Sequence, residues 1–257
     1  MDLQLGRQVA IVTGAASGIG AAIARCLAAE GIGGLLLSDR DATGLARIAA
    51  ELSRSTPVET CVADLADSDA PAAVAAATLA RFGRIDGLVN AAGLTTRGSF
   101  ETGTAAIWEE LFAVNARAGF FLMQAAIADM RRRAAPGAIV NILSMNAYCG
   151  DPLLAIYSGS KGAMATMTKN AARAHMADRI RVNGINLGWV ATETEVRLHQ
   201  ARGNGPDWFA AEAAKLPLGR FVTAEECARL AAFLLSDASV PMSGALVDLE
   251  QKVAGAV

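Results

Sequence analysis

The sequence predicts a doubly wound α/β fold, in which helices cover both faces of a parallel β-sheet. Short apolar runs of three to six residues alternate along the chain with Ala-rich amphipathic stretches of ten or more residues, the pattern of βαβ units. Right-handed crossovers between parallel strands then place helices on both faces of the sheet. No Pro- or Ser-rich linker divides the 257 residues, so we expect one domain spanning 1–257.

Each predicted element follows from the position of its apolar residues. The six predicted strands are short apolar runs: Val9–Val12, Leu35–Ser38, Val58–Val62, Leu88–Asn90, Ile139–Leu143 and Ile180–Ile185. The predicted helices are the amphipathic stretches that follow the first five: Ile19–Glu30, Asp41–Arg54, Ala70–Phe82, Ala105–Arg133 and Ile156–Ala177. Near-continuous apolar strands are typical of a sheet that is buried on both faces.

The segment at about 192–217 interrupts this alternation of predicted strands and helices. It is more polar and richer in glycine than its surroundings, and it carries Glu193, Glu195 and His199. An insertion of this size after a strand is typical of a substrate lid, and a tolerated surface loop is the alternative.

Composition excludes several functional classes. The formal net charge of −2 disfavours binding to nucleic acid or to an anionic membrane. The two histidines, His175 and His199, lie far apart in the sequence, so we predict no metal site. The four cysteines form no CxxC pair, and the chain shows neither a secretory signal nor a transmembrane run. These observations predict a cytoplasmic protein.

A glycine-rich motif follows the first predicted strand and opens the first predicted helix. It reads TGAASGIG over Thr13–Gly20. Glycines allow the backbone to turn tightly and to approach a pyrophosphate, whose charge the helix N-terminus then stabilises. A purely structural strand–helix turn is the alternative for the motif taken alone.

An acidic residue at the end of the second predicted strand favours a dinucleotide-binding role for the glycine-rich motif. Asp39 lies 19 residues beyond Gly20, where a carboxylate accepts hydrogen bonds from a ribose diol and repels a 2′-phosphate. The sequence therefore predicts NAD as the cofactor, with NADP less favoured. Arg40 is the opposing feature, because an arginine beside the acid can hold a 2′-phosphate.

A second motif pairs a tyrosine with a lysine. Tyr157 and Lys161 are four residues apart, so on a helix they share one face. A nearby cation stabilises the phenolate, and we expect it to bring the pKa of the tyrosine toward neutrality, where the tyrosine can act as acid and base. Ser144 lies 13 residues before Tyr157, at the carboxyl end of a predicted strand, where doubly wound folds bind ligands.

Together these motifs resemble those of the short-chain dehydrogenase/reductase family, over roughly Leu5 to Asp248. The resemblance implies a Rossmann fold with a central, mostly parallel seven-stranded sheet. It implies four catalytic residues, with Asn115 holding a proton-relay water beside Ser144, Tyr157 and Lys161. The residues implied to bind the cofactor are Gly14, Ser17, Gly18, Ile19, Gly20, Asp39, Arg40, Asp64, Leu65, Asn90, Ala91, Gly93, Tyr157, Lys161, Val190 and Thr192.

The chain departs from the family pattern at two places. The family usually has Pro-Gly after the sixth strand, where this chain reads NLGW over 186–189. The family often ends its last strand in Asp-Gly-Gly, where this chain reads DLE over 248–250. We expect Trp189 to line the substrate site together with Ser144, Asn146 and Tyr157.

The resemblance implies an NAD(H)-dependent oxidoreductase that interconverts a secondary alcohol and a ketone by hydride transfer. A site that mixes Asn, Glu and Trp side chains favours a polyol or a sugar as substrate. A 3-oxoacyl thioester is the alternative, which Asp39 disfavours because such reductases mostly use NADPH. Hydroxysteroid dehydrogenases and non-catalytic nucleotide-binding regulators also occur in the family, although regulators tend to lose the catalytic set. The resemblance further implies a homotetramer, with a dimer as the alternative.

Overall fold

The centre of the fold is a seven-stranded, entirely parallel sheet with strand order β3-β2-β1-β4-β5-β6-β7. The computed structural model describes residues 3–148, 151–201 and 203–254. The strands are β1 (Val9–Thr13), β2 (Gly34–Asp39), β3 (Val58–Val62), β4 (Gly87–Asn90), β5 (Gly137–Ile142), β6 (Ile180–Leu187) and β7 (Leu246–Leu249). Chain order reverses between β1 and β4, and at such a switch point a crevice opens at the carboxyl ends of the strands.

Helices pack on both faces of this sheet, which confirms the predicted fold class. Within the described residues they are α1 (Gly18–Ala29), α2 (Ala42–Leu52), α3 (Ala70–Phe82), α4 (Ala105–Phe112), α5 (Gly119–Arg132), α6 (Ala155–His175), α7 (Glu193–Ala201), α8 (Pro206–Ala214) and α9 (Ala224–Leu235). Strand β1 supplies side chains to both layers, because successive residues of a strand point to opposite faces. Ala10 and Val12 join one buried cluster with Leu27 of α1, whereas Ile11 joins the other with Leu122 of α5.

The long helix predicted over Ala105–Arg133 is interrupted. Between α4 and α5 the chain forms a π-helical segment, Ala113–Ala118, with Asn115 at its centre. Single π-helical turns of this kind often occur at functional sites. The side chain of Asn115 binds the backbone of Leu94, so a contact distant in sequence accompanies the interruption.

Among the described residues, one helical stretch is long and apolar enough to cross a membrane by length and composition alone. This stretch is Ala105–Arg132, which contains α4 and α5. Of its most apolar window, 56% is buried inside the fold, as expected for a core helix that packs against the sheet.

Candidate active site

A cavity of about 890 Å³ opens at the carboxyl ends of the strands, and most of the predicted site residues line it. Those residues are Gly14, Ser17, Gly18, Ile19, Gly20, Asp39, Arg40, Asp64, Leu65, Ala91, Gly93, Ser144, Asn146, Tyr157, Lys161, Trp189, Val190 and Thr192. Asn90 and Asn115 are buried and are not part of the cavity wall.

The turn between β1 and α1 forms a cradle that accepts glycine only. Gly14 has φ +66°, and a Cβ there would lie 2.9 Å from the backbone nitrogen of Ala92. A Cβ on Gly20 would lie 2.2 Å from the carbonyl oxygen of Gly14. The Ser17 side chain makes no capping hydrogen bond, so it leaves the first N–H groups of α1 open to an anion. This cradle fits the pyrophosphate of a dinucleotide.

Asp39 connects the end of β2 to this cradle. Its Oδ2 accepts a hydrogen bond from the Ala16 amide at 3.0 Å, and its Oδ1 accepts one from the Asp41 amide at 3.0 Å. The Arg40 guanidinium lies 3.8 Å from the Asp64 carboxylate, with both side chains exposed. The acidic side chain therefore has a fixed position in the cavity wall, while the neighbouring cation is directed toward another acid.

Ser144, Tyr157 and Lys161 form the polar centre of the cavity. All three side chains are buried, and the Ser144 hydroxyl is hydrogen-bonded to the Tyr157 phenol. The Lys161 ammonium donates to the Ile142 carbonyl at 2.8 Å, and Nζ lies 5.9 Å from the centroid of the Tyr157 ring. Strand β5 thus supplies the carbonyl and the turn after it supplies the serine, while α6 supplies the phenol and the amine.

Burial has a strong effect on both titratable groups. It lowers the pKa of Lys161 from 10.5 to about 8, because the charged amine is removed from water. Burial also raises the pKa of Tyr157, against the lowering effect of the Ser144 hydrogen bond, and the charge of Glu195 raises it further. The expectation that Lys161 brings the pKa of Tyr157 toward neutrality is therefore wrong for the protein alone, since desolvation is the larger effect.

Asn115 lies behind the catalytic group. Its Oδ1 accepts from the Leu94 amide at 2.8 Å, and its Nδ2 donates to the Leu94 carbonyl and to the Ser160 hydroxyl, both at 3.0 Å. Ser160 in turn donates to the carbonyl of Tyr157 at 2.7 Å. The Asn115 side chain is therefore committed to protein contacts, and its role in holding a relay water stays a prediction. Sequence reasoning missed Ser160, although its position three residues after Tyr157 places both on one helix face.

Asn90 has a similar supporting position at the end of β4. Its Nδ2 donates to Oδ1 of Asn141 at 2.8 Å, and Asn141 donates to the Thr168 hydroxyl of α6 at 2.8 Å. This buried relay connects β4 and β5 to the helix that carries Tyr157. The predicted contact of Asn90 with the cofactor is not tested by this arrangement and stays a prediction.

The segment after β6, in which the sequence predicts a substrate lid, forms the helices α7 and α8 and carries a cluster of aromatic rings. Trp189 lies 4.9 Å from Phe221 and 5.4 Å from Trp208, and His199 stacks on Trp208 at 4.2 Å, all between ring centroids. Val190 and Val222 form a parallel bridge, so the excursion between them is closed at its base. Trp208 lines the cavity and was missed by sequence reasoning, although adjacent aromatic residues in a polar segment were a usable signal.

Comparisons with known proteins agree with this geometry. A family model described as enoyl-(acyl carrier protein) reductase matches residues 14–250. D-threitol dehydrogenase of Mycolicibacterium smegmatis is 37% identical over 245 residues, which cover 95% of this chain and 92% of that protein. This chain belongs to the short-chain dehydrogenase/reductase family. As a member, it is an oxidoreductase of alcohols and ketones that uses a nicotinamide nucleotide.

Two further members of the family are similar over nearly their whole length. 2-(S)-Hydroxypropyl-CoM dehydrogenase 3 of Xanthobacter autotrophicus is 35% identical over 249 residues, which cover 95% of this chain and 96% of that protein. The crystal structure of L-sorbose reductase from Gluconobacter frateurii, complexed with NADPH and L-sorbose, has a TM-score of 0.93. It is 28% identical in sequence and covers 100% of both chains.

The two departures from the family pattern lie against each other. A Cβ on Gly188 would lie 2.2 Å from Oε2 of Glu250, so the Glu250 carboxylate occupies the space beside this glycine. Both residues line the cavity, next to Trp189. Within the described residues, no group of three or more His, Cys, Asp or Glu side chains is arranged to hold a metal ion. The titratable side chains at the centre of the cavity, Tyr157 and Lys161, are of the types that can transfer a proton at a substrate hydroxyl.

Proposed function

We propose that this protein is an NAD(H)-dependent dehydrogenase that interconverts a secondary alcohol and a ketone on a polyol or a sugar. The observation that carries the proposal is the placement of Ser144, Tyr157 and Lys161 in one cavity with the glycine cradle and Asp39. The similar D-threitol dehydrogenase and L-sorbose reductase support the substrate class.

The side chains divide the chemistry at the substrate hydroxyl. A bound nicotinamide cofactor supplies the hydride acceptor for oxidation and the hydride donor for reduction. Tyr157 takes the hydroxyl proton in oxidation and returns it in reduction. Ser144 binds the reacting oxygen, and its hydrogen bond stabilises the phenolate form of Tyr157. Lys161 offers a positive charge on the same face of α6 when it is protonated.

The cofactor would be held by the turn over Thr13–Gly20 and by Asp39. Asp64 and Leu65 would contact the adenine, and Thr192 would anchor the nicotinamide end. The Thr192 side chain packs against the first turn of α1: a Cβ on Gly18 would lie 3.4 Å from Cγ2 of Thr192. Asp39 supports NAD over NADP, because its carboxylate would repel a 2′-phosphate. The similar L-sorbose reductase holds NADPH, so cofactor preference requires a direct test.

The first experiment compares cofactors and substrates in one assay. Formation of reduced cofactor is followed by absorbance with NAD⁺ or NADP⁺ against threitol, galactitol, other polyols, sugars and hydroxysteroids. Oxidation of NADH or NADPH is followed in parallel with a 3-oxoacyl thioester. We expect NADH formation with polyols or sugars. Turnover confined to the thioester and NADPH would contradict both the proposed substrate class and the proposal that Asp39 favours NAD over NADP.

Reduction of an acyl-carrier thioester is the second candidate function. This candidate is reduction of the 3-oxo group; the description of the matching family model, enoyl-(acyl carrier protein) reductase, supports the carrier-bound thioester but names reduction of a carbon–carbon double bond. The same assay separates the two candidates, because a polyol dehydrogenase leaves the thioester unreduced.

We also propose that 1–257 forms one domain, in which the segment at 192–217 closes over the substrate. The bridge between Val190 and Val222 supports this, because it joins the two ends of the segment beside the cavity that Val190 lines. We propose a homotetramer, supported by the exposed rings of Trp108, Phe120 and Phe121 on α4 and α5.

We further propose a cytoplasmic location, which is supported by the free thiols of Cys26, Cys61 and Cys227. Cys149 lies outside the described residues.

A further inference from the structure

The carboxylate of Glu195 on α7 has no assigned role in the chemistry above. We propose that Glu195 selects polyhydroxylated substrates, by accepting a hydrogen bond from a substrate hydroxyl other than the reacting one. The inference rests on the proposed function and names the group that gives that site its substrate class.

Glu195 lies in the same cavity as the catalytic group. Its side chain is 23% exposed, and it lines the cavity together with Ser144, Tyr157 and Trp189. Both groups line this cavity, and the Glu195 charge raises the pKa of the Tyr157 phenol. A substrate whose hydroxyl reacts at Tyr157 therefore extends toward a carboxylate.

One oxygen of this carboxylate is held and the other is not. Oε1 accepts from the Trp189 indole nitrogen at 3.2 Å and lies 3.2 Å from Nε2 of His199. The other ring nitrogen of His199 lies 2.9 Å from the Asn204 amide nitrogen, an arrangement in which Nε2, the nitrogen nearer to Glu195, carries the proton. Oε2 has no hydrogen-bond partner in the part of the chain that the structure describes.

The groups that hold Oε1 are themselves fixed by packing. His199 is buried and stacks on Trp208 with ring centroids 4.2 Å apart, and Trp189 packs against Phe221 at 4.9 Å. An acceptor with a fixed direction loses little entropy when it binds a hydroxyl. The aromatic packing therefore presents Oε2 as a preorganised acceptor.

Charge at the cavity favours a neutral hydroxyl over an anionic group at this position. The cations in the cavity wall besides Lys161 are Arg40, Arg97 and Arg197; all three are exposed, and none forms an ion pair with Glu195 among the described residues. Glu250 adds a further carboxylate to the wall, against Gly188. A carboxylate or sulfonate on the substrate would be repelled here, whereas a hydroxyl donates to Oε2.

The test compares Glu195→Gln with the wild type on two alcohols that differ in their additional hydroxyls. Threitol carries them and 2-butanol lacks them, while both present a secondary alcohol for oxidation by NAD⁺. We expect kcat/KM for threitol to fall about 10- to 100-fold relative to kcat/KM for 2-butanol, because the effect of the lost charge on the pKa of Tyr157 is common to both alcohols. Glu212→Gln is the matched control, because Glu212 pairs with Lys215 on the surface of α8 and does not line the cavity.

A merely structural role for Glu195 would lower turnover of both alcohols alike, because the glutamine would disturb Trp189 and His199 whatever the substrate. Equal losses on both alcohols, or no loss on threitol, would overturn the proposal while the proposed function stands.

Binding is measured separately, through the fluorescence of Trp189 and Trp208 when threitol is added to the NADH complex. If the wild type binds threitol without oxidising it and Glu195→Gln weakens that binding at least tenfold, the inference stands and the proposed function fails. Absence of both turnover and binding of threitol in the wild type would overturn both.

Discussion

The side chain of Asn115 binds both backbone polar groups of Leu94. Its Oδ1 accepts from the amide at 2.8 Å and its Nδ2 donates to the carbonyl at 3.0 Å. This pair joins the π-helical turn before α5 to the loop after β4. The same loop holds Gly93, where a Cβ would lie 3.3 Å from Nζ of Lys161 and 3.4 Å from Oδ1 of Asn115. The contact therefore sets the wall of the cavity beside the catalytic lysine.

Replacing Asn115 by alanine should destabilise the fold and lower turnover together. The change leaves the N–H and C=O groups of Leu94 without a partner and removes the hydrogen bond that the Ser160 hydroxyl accepts, so we expect a loss of about 2–3 kcal/mol in the free energy of unfolding. Urea denaturation and kcat measure the two effects. Asn115→Asp keeps the size but cannot donate, so it should be destabilised as well. An aspartate variant as stable as the wild type would refute the role of these hydrogen bonds.

Replacing Tyr157 by phenylalanine should remove turnover and leave cofactor binding intact. The phenol is the proposed acid and base, and positioned groups of this kind contribute about 10²–10⁴-fold to the rate. Steady-state kinetics measures the loss, and NADH fluorescence measures binding. Tyr148→Phe is the control, because Tyr148 is bonded to Asp248 and Asn186 outside the cavity. A Tyr157 variant with near wild-type turnover would show that another group moves the proton.

Replacing Asp39 by asparagine should shift cofactor preference toward NADP⁺. The substitution removes the charge that would repel a 2′-phosphate, while the amide oxygen still accepts from one of the two backbone donors, Ala16 or Asp41. We expect the ratio of kcat/KM for NAD⁺ to that for NADP⁺ to fall about tenfold or more. The ratio needs no separate control, because damage to the fold would lower kcat/KM for NAD⁺ and kcat/KM for NADP⁺ alike. A wild-type protein that prefers NADP⁺ would contradict the assignment of NAD as the cofactor before any variant is measured.

Local sequence patterns were enough to predict six of the seven strands, the glycine cradle and the main cavity residues, whereas the seventh strand followed from the family resemblance alone. An apolar run and an i, i+4 spacing can both be recognised from a few neighbouring residues. These patterns therefore assigned Gly14, Asp39, Tyr157 and Lys161 to one edge of the sheet. Chain order then brings those residues into one cavity, because the carboxyl ends of parallel strands meet there.

Features that depend on contacts distant in sequence could not be predicted. The break before α5 is accompanied by the contact of Asn115 with Leu94, 21 residues away. The helices after β6 are stabilised by rings that meet only in the fold, such as His199 on Trp208. The shift in the pKa of Tyr157 depends on how completely the phenol is buried, which spacing to a lysine does not reveal.

Burial of Lys161 should make stability depend on pH. The folded protein lowers the pKa of this amine from 10.5 to about 8, so the amine loses its proton in the folded state before it does so in the unfolded chain. Between these values the unfolded state binds more protons, and stability therefore rises with pH. We expect this contribution to reach about 2–3 kcal/mol between pH 7 and pH 10.

The measurement is urea denaturation of the wild type and of Lys161→Met at several pH values. Methionine is close in size and carries no charge, so the difference in unfolding free energy between the two proteins isolates the lysine, while other groups cancel. That difference should increase in favour of the wild type from pH 7 to pH 10. Tyr157 acts in the opposite direction only above about pH 10, where an ordinary tyrosine begins to ionise in the unfolded chain. A difference that stays constant over this range would mean that the buried amine is already neutral at pH 7 or keeps its ordinary pKa.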